Sequence, residues 1–257
     1  MSSAYVCVYR HFFPPPKAIA ATRQAAANDR ELLRFIDDYV AGRSYYDWGD
    51  DPSFFSAERH QGGPEFAGWG VCRPNVRAAL VPGDLVVFFC AKRPAPRTTT
   101  TDYFFIGAGL VDDVVHERER LWRDEKFRPF RSHYNILARY SASGGSVQHE
   151  TFYPYHDNWR HRLASPYVTF ADTQSRFNLR TPLQVGASDG GKSEIWRSHQ
   201  VHRVAQLEDL LFKRLGVARR LRTSSTGSAH PHINLTSRLP KAGINITSLR
   251  EALLELV

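Results

Sequence analysis

Cysteine, methionine and lysine are scarce in this chain, and no long apolar run occurs. The three cysteines, Cys7, Cys72 and Cys90, cannot all pair, and none forms a C-x-x-C spacing. That argues against a disulfide framework and against a thiolate zinc site, and reads as reduced thiols in a cytoplasmic protein. No stretch approaches the ~18 apolar residues of a membrane span, so no membrane partner is expected. The start of the chain does not read as a signal peptide, since Tyr5 to Tyr9 is strand-like and His11 to Pro16 breaks it. Eleven histidines include the close pairs His156 and His161, His199 and His202, and His230 and His232. None stands in H-E-x-x-H and no cysteine pair lies near them, so neither a metal nor a cofactor is expected. Gly107-Ala108-Gly109 lacks the third glycine and the helix of a dinucleotide fingerprint, and Gly186 to Lys192 misses the spacing of a phosphate loop.

What is abundant is arginine. Of 34 basic residues 28 are Arg and six are Lys, against 26 acidic residues, leaving a formal charge of +8 and a pI near 9.6. A guanidinium forks onto phosphate and stacks on bases, so this balance suits a polyanionic partner. A GC-rich genome enriches Arg equally well, and composition alone leaves the two explanations open.

The patterning predicts an α+β fold in a single elaborated domain over residues 1–257, with no internal repeat. Residues 4–10 alternate as a first strand, and Pro14-Pro15-Pro16 stops it. Ala18 to Asn28 and Arg30 to Val40 are helical, the second amphipathic. Tyr45 to Gly68 reads as a long ordered loop. His116 to Lys126 reads as a charged, solvated helix docked by Leu121 and Trp122. Tyr134 to Tyr140 and Gln148 to Tyr153 are strand candidates. Helical additions occupy about 200–257: Val204, Leu207, Leu211 and Leu215 line one helix, and Ser248 to Glu251 is a capping-box pattern opening the last one.

The most informative stretch runs from Trp69 to Val115. W-G-V-C-R-P-N-V-R-A-A-L reads as a short helix with Pro74 in its first turn. Pro82-Gly83-Asp84 turns the chain into Leu85 to Cys90, an unbroken apolar run of strand length, with Asp84 bracing the turn. Tyr103 to Ile106 returns, and Gly107 and Gly109 mark a bend or a close approach. The two runs are expected to pair antiparallel near the centre of a sheet.

This pattern over about 66–115 resembles the PUA-like superfamily of small twisted β-barrels that includes the EVE, ASCH and YTH domains. With Trp48-Gly49-Asp50-Asp51 and Trp69 to Arg73 added, it is most similar to the bacterial and phage nucleotide-modification-associated domains. The resemblance implies a twisted, partly closed barrel with flanking helices, and recognition of a nucleobase, modified or flipped, in an aromatic pocket.

The residues themselves offer that chemistry. Tyr46, Trp48, Trp69 and Tyr103 can stack a base; Phe54 and Phe55 read as core. Arg73 and Arg77, four apart on one helical face, can meet phosphates, and Asn75 can both donate to and accept from a base edge. Equally, Asn75 can cap the helix and the arginines can pair with Asp50, Asp51 or Asp84. Two readings follow. One is a module that binds nucleic acid or a nucleotide without chemistry. The other is an enzyme of base or nucleotide modification, with Cys72 beside a cation, or Asp50 and Asp51, as its reactive groups.

Overall fold

A computed structural model of the chain describes residues 2–11, 16–25, 27–28, 30, 33–34, 37, 48, 51–54, 66–92, 100–131, 133–136, 138–141, 146–149, 164–170, 176–189, 192–195, 201–217 and 232–256. In chain order its strands are β1 (Ala4–His11), β2 (Ala67–Trp69), β3 (Leu85–Lys92), β4 (Thr101–Leu110), β5 (Asp113–Val115), β6 (Ala138–Ser141), β7 (Ser146–His149), β8 (Tyr167–Phe170), β9 (Arg176–Asp189), β10 (Lys192–Ile195) and β11 (His232–Asn234). The α-helices are α1 (Pro16–Ala25), α2 (Pro74–Ala79), α3 (Arg120–Arg123), α4 (His202–Leu207) and α5 (Ile246–Leu254). The chain divides into two compact units, each assembled from separated segments. The first takes Met1–His11, Leu80–Asp113 and Phe170–Val257; the second takes Phe12–Ala79 and Val114–Thr169.

The first unit is built on a six-stranded sheet of order β10-β9-β4-β3-β1-β11. At its middle β3 and β4 pair antiparallel, Leu85 opposite Leu110 and Lys92 opposite Asp102, as the two apolar runs predict. β1 lies parallel to β3, Ala4 beside Leu85 through His11 beside Lys92. Burial on both faces explains why β3 is an unbroken apolar run, with only Lys92 at its end partly exposed. One face packs Val6, Val8, Val87 and Phe89 against Val204 and Leu207 of α4, Leu211 and Leu215 of the π-helical stretch that follows it (Glu208–Arg214 and its cap), and Leu249 and Leu253 of α5. The pairing of β4 with β9 shifts register between Tyr103 and Phe104 and again across Ile106, and Gly107 takes φ 151° there, a backbone state open to glycine. Asp84 braces the entry to β3, as expected: its carboxylate accepts from the Ser3 N–H at 2.5 Å and the Val81 N–H at 3.0 Å.

α+β content therefore stands. The six-stranded sheet ends in two edges, β10 and β11, so the described strands form an open sheet and do not close. Gly186 to Asp189 of β9 pair with Lys192 to Ile195 of β10, Lys192 opposite Asp189, so this stretch is strand at both ends. The capping box of α5 starts three residues earlier than its sequence pattern: Asn245 caps and Ser248 returns the bond, each side chain accepting from the other's N–H. The segments expected over Arg30–Val40 and Tyr45–Gly68 lie mostly outside the described residues.

The second unit holds a three-stranded sheet, order β2-β8-β5, and the antiparallel pair β6–β7. Its core is aromatic. Phe54, Trp69, Phe127, Phe130 and Tyr167 are all buried, and Phe130 meets Phe66, Phe127, His133 and Tyr167 edge-on at 5.7–6.3 Å. The stretch between α3 and β6 supplies much of this, through a 3₁₀ turn at Glu125–Phe130 and a shorter one at Tyr134–Ile136.

Candidate functional site

The turn joining β2 to α2, residues Gly70 to Arg73, is held on all sides by side chains of the second unit. Asp51 accepts from its N–H groups: Gly70 at 2.7 Å, Val71 at 3.1 Å to each oxygen, and Cys72. Asn135 adds a fourth donor to the same carboxylate at 3.2 Å, and also donates to the Gly68 carbonyl at 2.7 Å. The side-chain amide oxygen of Asn135 in turn accepts from the Tyr167 hydroxyl at 2.9 Å.

The carbonyls of the turn are held by two guanidinium groups. Arg77 donates to Cys72 at 3.0 Å, to Val71 at 3.2 Å, to Ser165 at 3.2 Å and to Pro166. Arg118 donates to the carbonyls of Gly70, Ile136 (2.6 Å) and Asn135 (3.4 Å), and lies 5.5 Å from the Tyr167 ring centre. Buried backbone groups must be satisfied somewhere, and here side chains distant in sequence do it.

Electrostatics follow from this burial. Arg118 is 2% exposed, and desolvation together with the Arg77 charge pulls its guanidinium down to about 9, while Tyr167 and Asp51 act the other way. Burial pushes the Tyr167 hydroxyl up, so it remains a donor to Asn135.

Sterics complete the frame. A Cβ on Gly68 would run into the Tyr167 hydroxyl and ring. One on Gly70 would lie 2.7 Å from the ring edge and collide with the Asn135 carbonyl. Both glycines are there because Tyr167 passes directly over β2. At the far end of the turn Arg73 has φ 53°, the non-glycine residue with a left-handed backbone among the described residues. For an L-residue that costs roughly 1–2 kcal/mol, and the fixed neighbours on either side impose it.

In comparisons with family models, curated proteins and solved structures, nothing matches this chain. The site is therefore read from its own geometry.

That geometry sorts the expected residues. Cys72 and Arg73 are partly exposed and Asn75 is exposed, on one short stretch. Trp48 is partly exposed and three residues from Asp51, so its Cα lies within about 11 Å of that of Asp51. Tyr46 and Asp50 lie outside the described residues.

Three residues are corrected. Trp69 is 1% exposed, a core ring instead of an open stacking face, and Tyr103 is buried in the core of the first unit. Arg77 is fully buried on backbone carbonyls, so it presents no guanidinium to phosphate. Trp69→Ala is accordingly expected to cost about 3–5 kcal/mol of folding stability. Chemical denaturation measures this, and a variant as stable as the parent would contradict the core assignment.

Asp51 is likewise no free reactive carboxylate: it is 4% exposed and four donors occupy its oxygens. Its role is to shape the turn. Among the described residues no group of three His, Cys, Asp or Glu is placed to hold a metal ion, and no helix is long and apolar enough to cross a membrane.

Two residues of the site escaped sequence reasoning. Arg118 sits in E-R-E-R-L-W-R and reads as one more solvated charge, yet it turns inward. Asn135 lies inside the strand candidate Tyr134 to Tyr140, with nothing local to mark it. Only their buried partners identify them.

Proposed function

We propose that this chain binds nucleic acid or a nucleotide through the rim formed by Trp48, Cys72, Arg73 and Asn75. One observation carries the reading. The Gly70–Arg73 turn has its N–H groups tied by Asp51 and its carbonyls tied by Arg77 and Arg118, so it presents side chains from a rigid frame. Arg73 on the turn offers a phosphate-matching fork, Asn75 in α2 an amide that can read a base edge, and Trp48, three residues before Asp51, a stacking ring. The surplus of positive charge, +8, and the resemblance of 66–115 to PUA-like domains support the same partner class. The finer reading, a modified or flipped base held against Trp48, follows from that resemblance.

A second reading rests on Cys72. It is partly exposed beside Arg73, whereas Cys7 and Cys90 are buried. A cation beside a thiol favours thiolate, the nucleophilic form, so a base-modifying enzyme would use this sulfur.

Titrating a fluorescent single-stranded oligonucleotide against the full chain tests the first reading. Affinity is expected to fall linearly on logarithmic axes as salt rises. Cys72→Ser should leave affinity nearly unchanged. A salt-independent response, or no binding at low salt, would overturn the proposal. Loss of a reaction in Cys72→Ser would move the assignment to the enzyme.

A further inference from the structure

We draw no further inference here: the strongest candidate, the cavity of about 300 Å³ in the first unit where Ser2, Thr236, Leu239, Ile244 and Asn245 meet the start of α5, carries nothing, because its lining is mainly aliphatic and nothing in the structure shows what covers it.

Discussion

Asp51→Ala is expected to lower folding stability by about 3–5 kcal/mol, among the largest losses available to a polar truncation. The carboxylate receives the N–H groups of three successive residues and the amide of Asn135. Removing it leaves buried donors unmet, each costing about 1–3 kcal/mol before relaxation. It also removes the favourable charge of Asp51 from the buried Arg118. Asp51→Asn should lose less, since one acceptor oxygen remains and the new NH₂ faces donors. Urea denaturation monitored by tryptophan fluorescence reads both. A loss under about 1 kcal/mol for Asp51→Ala would mean the turn is not held by this carboxylate.

Gly70→Ala is expected to be of comparable severity, on the order of 3 kcal/mol. The added methyl would meet the Tyr167 ring edge at 2.7 Å and the Asn135 main-chain oxygen. Neither can give way. Tyr167 is fully buried and hydrogen-bonded to Asn135, and the Asn135 carbonyl is backbone. Gly68→Ala differs in a useful way, because its methyl meets the Tyr167 hydroxyl first. In combination with Tyr167→Phe it should be non-additive by at least about 0.5 kcal/mol, the signature of direct contact. Additive costs would place the ring elsewhere.

Much of the first unit is legible in the sequence because its signals are local. Leu85 to Cys90 and Tyr103 to Ile106 declare a buried hairpin by composition, and Val204, Leu207, Leu211 and Leu215 declare a helix face by spacing. The site is less legible, since its partners are far apart in the chain. Arg77 is buried because Pro166 offers a carbonyl 89 residues away, and Arg118 because Gly70 does so 48 residues away. By local pattern both are ordinary surface charges.

Trp69 misleads for a related reason. Flanking glycines make it look open, but those glycines are clearance for Tyr167 and the ring is core. Asp51 reads as a reactive carboxylate or an arginine partner, whereas its partners include the backbone of residues 70–72. Adjacency in the chain is what puts Cys72 and Arg73, partly exposed, beside the exposed Asn75.

The central claim is that a rigid turn presents Arg73 and Asn75 to a nucleic acid or nucleotide. Residue-resolved NMR of the full chain tests it in one sample. The Gly70, Val71 and Cys72 amides should be strongly protected from hydrogen exchange, as donors to a buried carboxylate are. On titration with a single-stranded oligonucleotide, the resonances of Cys72, Arg73 and Asn75 and the Trp48 indole should move together. Rapid exchange at those three amides, or oligonucleotide-induced shifts confined to other residues, would contradict the account.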